Sequence, residues 1–290
     1  MREFLLLDGF NLAFRSFYAV PPLSRGDGFP TNAVHGWVKT IWRLQDLYPH
    51  SPTIAFFDLD GDKKRQALHP EYKANRQEMP EELVLQIPII QDITPLLGIQ
   101  IFSESGVEAD DLIASAARQI RENGDRAIIV SADKDMAQCV EEKIHQLLPP
   151  PTANPKLGWR HLDETKVKEK FGVRPDQIAD YLALLGDASD NIPGISGVGP
   201  KTASNWLRTY GTLENVIANC GRLKPPRFQN IVHQERERLR MNVQLTQLNK
   251  DISFDLKTIE PDLDVLTAFL EKMEMSTSAK EAQKRYGGRN

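Results

Sequence analysis

MREFLLLDGF, residues 1–10, runs the apolar side chains of Phe4, Leu5, Leu6 and Leu7 straight into the carboxylate of Asp8. The same pattern returns in TIAFFD (53–58) and AIIVSADKD (127–135). Short, uninterrupted apolar runs rich in branched and aromatic residues mark strands buried on both faces, as in a parallel sheet covered by helices. Residues 4–7, 53–57, 99–102 and 127–130 are therefore expected to be strands. Helical patterns lie between them: 32–48, with Val34, Val38, Ile41 and Trp42 on one stripe, then 81–97 and 110–122, the last closed by Gly124. This alternation predicts an α/β fold with a mostly parallel central sheet flanked by helices.

The residues that follow the strands carry the chemistry. Asp8, Asp58, then Glu108, Asp110 and Asp111 in GVEADD, Asp133 and Asp135 in SADKD, and Asp187 and Asp190 in GDASDN are mostly placed where an apolar run ends. In an open α/β sheet the carboxyl ends of the strands share one edge, so residues distant in sequence converge there. Taken singly, an Asp before a helix is a good N-cap. Capping asks for one acid per helix start, however, and this chain supplies two or three. Two carboxylates about 4 Å apart repel by roughly 4 kcal/mol at an effective dielectric near 20, so a cluster of this size requires cations. A pair of hard divalent ions held by carboxylates and waters meets that requirement and suits displacement at phosphorus.

Composition sets the bounds. The 290 residues are 40% hydrophobic, enough for a real core. Net charge is −4, but setting the nine clustered acids aside leaves a remainder of about +5, so the overall sign does not exclude nucleic acid. Two cysteines, Cys139 and Cys220, lack metal-ligand spacing and favour a reducing compartment. No apolar run approaches the roughly 20 residues of a membrane span, and the N-terminal run is too short for a signal sequence. A cytoplasmic location without membrane contact is expected.

Three further regions stand out. Residues 61–80, GDKKRQALHPEYKANRQEMP, are too polar for core and read as an exposed excursion rising over the carboxylate crevice, with Tyr72, Lys73 and Arg76 combining an aromatic platform with two cations. After the Pro-rich bend at 149–158 strand signals fade, and helices are expected at 163–171 and 175–185. The α/β core is accordingly placed at 1–160, a helical region at 161–275 and a loosely ordered polar tail at 276–290. Within the helical region PGISGVGPKTA (193–203) resembles the helix-hairpin-helix element that grips nucleic-acid backbones: Gly197 and Gly199 permit a tight turn, while Lys201 and the amides around Thr202 present positive charge. Residues 222–240 add Arg222, Lys224, Arg227, Arg236, Arg238 and Arg240, read either as a solvated face or as a continuation of the phosphate track.

Taken together, LLLDGFNLAFRSFYA, EYKANR, GVEADD, SADKD and DYLALLGDASDNIPGISGVGPKTA, in that order, resemble the bacterial 5′-nuclease domain found at the start of DNA polymerase I, a branch of the flap endonuclease group. The resemblance covers roughly residues 1–255. It implies a PIN-like core with a helical arch and a C-terminal helix-hairpin-helix region. It implies a structure-specific nuclease of DNA replication and repair, acting as 5′-3′ exonuclease and 5′-flap endonuclease and leaving a 5′ phosphate. Asp8, Asp58, Glu108 and Asp110 would surround one magnesium ion, and Asp111, Asp133, Asp135, Asp187 and Asp190 would serve a second, with manganese as a substitute. Lys73 and Arg76 would neutralise the scissile phosphate, Tyr72 would stack on a base and Arg65 would add a basic arch position; turnover would rest on Lys73, Arg76, Asp8 and Asp135. The family also allows K+ at the hairpin, an RNA-DNA hybrid as substrate, a monomer, and polymerase and ligase as separate proteins.

Two rivals are distinguishable. IAFFDLDGD echoes the DxDG motif of haloacid-dehalogenase-like phosphatases, but Asp62 stands where that group expects Thr-like chemistry, and the run before Asp187 reads as helix. A catalytically silent module that binds branched DNA would use the hairpin and basic tracks, but it gives no reason for nine converging acids.

Overall fold

A computed structural model describes residues 1–288. Its first half comprises β1 (Glu3–Asp8), α1 (Gly9–Ala19), α2 (Asn32–Leu47), β2 (Thr53–Phe56), α3 (Lys63–Leu68), α4 (Glu81–Leu96), β3 (Gln100–Phe102), α5 (Ala109–Glu122), β4 (Arg126–Val130), β5 (Ile144–Leu148) and β6 (Arg160–Leu162). Their sheet has the order β3-β2-β1-β4-β5-β6, parallel except for β6, which runs antiparallel along β5. The α/β architecture expected from the sequence is the one that forms. Chain order proceeds outward from β1 in both directions, so the connections part between β1 and β4. That is the topological switch point, where crossovers to opposite faces leave a crevice.

β1 shows why its sequence is apolar without alternation. Leu5 and Leu7 enter a core with Trp37, Val38, Ile41, Ile90 and Phe57, while Phe4 and Leu6 enter a second core with Leu112, Ile113 and Ile129. Successive side chains point to opposite faces, and helices cover both. Full burial of each such side chain stabilises by roughly 1.5–3 kcal/mol.

The second half is helical: α6 (Glu164–Phe171), α7 (Ile178–Leu185), a minimal antiparallel pair β7 (Gly186–Asp187) and β8 (Ile192–Pro193), then α8 (Pro200–Tyr210), α9 (Leu213–Ala218), α10 (Gln229–Gln234), α11 (Arg236–Thr246), α12 (Leu263–Lys272) and α13 (Ser276–Tyr286). The segments from α6 to α11 share a separate apolar core built on Leu182, Leu184, Trp206, Leu207 and Phe228. Among the described residues no helix is long and apolar enough to cross a membrane.

Three expectations need correction. β5 and β6 were not anticipated, because IHQLL and RHL are too polar to read as strands. Gln146 is nevertheless buried, its amide nitrogen satisfied by the carbonyls of Ser131 and Asp133 at 3.0 and 2.6 Å. Secondly, 276–286 of the supposed loose tail is the helix α13. Ala279, Ala282 and Tyr286 bury one stripe against the sheet's first core, the Tyr286 hydroxyl accepts from Trp42 Nε1 at 3.1 Å, and Arg285 pairs with Asp46 at 2.6 Å. Arg289 and Asn290 lie outside the described residues. Thirdly, 61–80 is not exposed throughout. Asp62 caps α3 by accepting from the amides of Lys64 and Arg65, and Arg65 and Tyr72 are both only 5% exposed.

A candidate metal centre at the sheet edge

The carboxyl ends of β1 and β4 place the first acids on either side of the switch point. Asp8 closes β1; its Oδ1 accepts from the Asn11 amide at 3.1 Å and its Oδ2 from the Ser131 hydroxyl at 2.7 Å. Asp133 lies three residues beyond β4, where Oδ1 accepts from the Asp135 amide at 2.9 Å. Asp58, just past β2, accepts from the Ala109 amide at 2.7 Å and so helps to start α5, the helix that carries Asp110. These acids sense one another. Burial raises Asp8 to about 7 against the Ser131 hydrogen bond, with Asp133 and Asp58 adding to the rise. Burial, then the charges of Asp133 and Asp8, push Asp110 well above the usual carboxylate range.

Asp135, Asp187 and Asp190 each bring a carboxylate oxygen within 4.8 Å of the other two. Burial, then Asp133, raises Asp135 to about 7, and its buried Oδ1 accepts no hydrogen bond. Lys134 bridges the group, its Nζ 2.6 Å from Asp187 and 3.5 Å from Asp135. Burial works against ionisation of Asp187, but hydrogen bonds from Lys134 and Ser189 hold it below the usual range. A buried carboxylate oxygen with no hydrogen bond, and only Lys134 at 3.5 Å to offset the further acids around it, is a costly arrangement for a protein without cations. Hard oxygen donors and surplus negative charge fit divalent ions of the magnesium class.

The segment after α3 folds down onto this edge. Lys73 donates to Glu108 Oε1 at 2.5 Å, the Tyr72 hydroxyl donates to Glu108 Oε2 at 3.1 Å and to Asp190 at 3.3 Å, and Arg76 donates to Asp190 at 2.8 Å. Backbone bonds reinforce the docking, with the Lys73 amide bound to the Asp190 carbonyl at 3.0 Å. Burial raises Glu108 above its ordinary range despite the Lys73 charge. Tyr72 is consequently a buried hydrogen-bond donor here, not the open stacking platform expected.

The structure separates two predicted residues from this crevice. Asp111, assigned to the second ion, is 2% exposed; Arg65 grips both its oxygens at 2.6 and 3.0 Å, and the Asn249 amide adds a bond at 2.7 Å. Arg65 also contacts Asp62 at 2.7 Å and Glu108 at 3.3 Å, so its guanidinium occupies the centre of the acidic triple Asp62, Glu108 and Asp111. Neither a metal duty for Asp111 nor a DNA contact for Arg65 fits this burial. The other acids, Asp8, Asp58, Glu108, Asp110, Asp133, Asp135, Asp187 and Asp190, form one connected electrostatic group.

The glycine hairpin sits between β8 and α8. Gly197 adopts φ +79°, which favours glycine, whereas at Gly199 nothing lies within 4 Å of where a Cβ would stand. Pro200 opens α8, with exposed Lys201 and half-exposed Thr202 in its first turn. On the basic track Arg236, Arg238 and Arg240 are paired with Glu237, Glu235 and Glu214, which favours a solvated face for that stretch. Ser131, Lys134, Asp62 and Gln146 were missed by the sequence reading. Lys134 lies between two predicted acids in SADKD, the one signal that could have drawn attention to it.

Residues 3–172 match the family model described as 5′-3′ exonuclease, N-terminal resolvase-like domain, and residues 173–266 match 5′-3′ exonuclease, C-terminal SAM fold. The chain belongs to the 5′-3′ exonuclease family. As a member of that family it is a nuclease, which sets aside both the phosphatase and the silent-module readings. A 5′-3′ exonuclease of Aquifex aeolicus is 37% identical over 98% of the chain and 96% of the relative. The thermostable DNA polymerase I of Thermus aquaticus is 36% identical over 94% of the chain, which spans only 32% of that polymerase. Among solved structures, a bacteriophage T5 flap endonuclease in a pseudo-enzyme-product complex with DNA and metal ions superposes with a TM-score of 0.71 at 21% identity, over 98% of this chain and 100% of that one. The catalytic core of Rad2 in complex with DNA substrate gives 0.62 at 16% identity, over 98% of this chain and 91% of that one. Both likenesses concern the fold of this 5′-3′ exonuclease family member.

Proposed function

We propose that the chain hydrolyses DNA phosphodiester bonds at 5′ ends and 5′ flaps with two divalent ions, magnesium by preference and manganese as a substitute. The observation that carries this reading is the convergence of strand-end carboxylates at the switch point, with Lys73 and Arg76 folded over them. Asp8, Asp58, Asp110 and Asp133, with Glu108 at their margin, would hold one ion; Asp135, Asp187 and Asp190 would hold the other. Bound there, such ions supply Lewis acidity, a lowered water pKa and charge compensation at phosphorus. The protein supplies the rest. Lys73 and Arg76 transfer from Glu108 and Asp190 to the scissile phosphate and stabilise its developing charge. Ser131 and the Asn11 amide keep Asp8 oriented. The hairpin from Gly197 to Thr202 holds duplex backbone through amides and Lys201, and its carbonyl oxygens would be the donors for K+. The enzyme would act as a cytoplasmic monomer on DNA or RNA-DNA hybrids, alongside separate polymerase and ligase.

The test is a 5′-flap duplex labelled at its 5′ end and incubated with magnesium, manganese or chelator. Short 5′-phosphorylated products are expected only with a divalent ion. Cleavage that persists in chelator, or none with either metal, would overturn the proposal.

A further inference from the structure

We propose that Arg65 is a positioning residue for catalysis and makes no contact with DNA. This rests on the nuclease reading above and assigns a role that the basic composition of 61–80 hides.

The Arg65 side chain is 6% exposed and its donors are spent inside the protein. Nε donates to the Leu245 carbonyl at 2.9 Å; Nη2 donates to the Gln247 carbonyl and to Asp111 Oδ1, each at 3.0 Å; Nη1 faces Asp62, Asp111 and Glu108 at 2.7, 2.6 and 3.3 Å. A guanidinium offers five N–H groups in a fixed fork, and three atoms with six acceptors leave none for a phosphate. What the fork joins is informative. Asp62 and Arg65 belong to the base of the arch, Glu108 and Asp111 to the start of α5, and Leu245 and Gln247 to the end of α11. Three segments remote in sequence are pinned at one buried point.

Glu108 links that point to the crevice. Its Oε2 takes Arg65 at 3.3 Å and the Tyr72 hydroxyl at 3.1 Å, while Oε1 takes Lys73 at 2.5 Å. When Lys73 moves to a substrate phosphate, Arg65 and Tyr72 remain to keep the carboxylate in place. Lysine carries the same charge but has three donors on one nitrogen. It cannot bridge both Asp111 oxygens while reaching two carbonyls.

The experiment compares wild type, Arg65→Lys and the double variant Arg65→Gln/Asp111→Asn. The lysine variant keeps the buried acids paired, and the double variant removes one charge of each sign. Single-turnover cleavage at saturating enzyme, flap-DNA affinity in chelator, and the salt dependence of that affinity are measured at a temperature where each variant is folded. For Arg65→Lys we expect cleavage slowed 10-fold or more with affinity within about twofold of wild type. For the double variant we expect a still slower rate and an unchanged salt slope. A phosphate contact predicts the opposite: weaker binding and a slope reduced by about one. That result overturns the proposal, as does a change confined to thermal stability with normal cleavage. A wild-type chain that cuts no flap would instead sink the nuclease reading, whatever Arg65 does.

Discussion

Asp135 concentrates the conflict between stability and activity in one side chain. Burial and its acidic neighbours hold it near 7, so at higher pH the metal-free fold carries a buried charge that it disfavours. Replacing it by Asn removes the charge and keeps the shape. Asp135→Asn should therefore melt higher than wild type in chelator at pH 8, bind flap DNA within a few-fold, and cleave at least about 100-fold more slowly. A normal rate would defeat its assignment to a metal. The pH dependence has a definite sign. Asp8 and Asp135 ionise near 7 when folded and near 3.8 otherwise. Between those values the folded state holds more protons, so their contribution is full below about pH 4 and is lost as pH rises through about 7. Chelated protein should accordingly melt higher at pH 5.5 than at pH 8, and magnesium should narrow the difference; a chelated melting temperature that climbs with pH would contradict it. At this scale the acids were legible, because strands end where carboxylates begin. The direction of Asp111 was not: neighbours on a helix point about 100° apart, so Asp110 and Asp111 cannot both face one crevice. Nor was the burial of Arg65, since composition reports charge and says nothing of enclosure.

Among the elements, the hairpin before α8 separates folding from binding. A Cβ on Gly194 would stand 2.1 Å from the Leu185 carbonyl carbon and 2.3 Å from the Gly186 nitrogen, because β7 and β8 close on one another there. Gly194→Ala should destabilise the helical half by roughly 1–3 kcal/mol or more, read as a lower denaturant midpoint. At Gly199 there is space, and φ is −104°. Gly199→Ala should fold normally and weaken duplex binding by crowding the approach to the α8 amides; unchanged affinity would remove the hairpin from the interface. The strands that could be read are β1, β2 and β4, buried on both faces, and the half-buried edge strand β3, whose run at 99–102 is still mostly apolar. β6 escaped notice because an edge position tolerates Arg160 and His161, β5 because His145 and Gln146 interrupt its apolar run, and α13 because alanine buries a stripe while adding little hydropathy.

For the molecule as a whole, the chain from α12 onward closes the core that β1 opens. Tyr286 reaches Trp42 and Gln45, and Leu266, Leu270, Met273 and Ala282 pack in the same cluster as Leu5 and Leu7. Removing residues 276–290 should cost on the order of 3 kcal/mol, a fall in Tm of about 5–10 °C, whereas a truly loose tail would leave Tm where it was. The ion pairs over the crevice carry a different consequence. Lys73 on Glu108 and Arg76 on Asp190 are the free protein's own counter-ions. A strand that draws them away leaves the acids short of positive charge, so DNA and divalent metal should bind with positive linkage, each tightening the other by the same factor. Manganese titrations with and without a cleavage-resistant flap would measure that factor, and equal affinities would refute it. In a Lys73→Ala/Arg76→Ala variant the tethered cations are already gone, and the coupling should shrink. A ligand without a phosphate to exchange for those two side chains leaves the centre self-neutralised, so the resting enzyme discriminates against it before any bond is at risk.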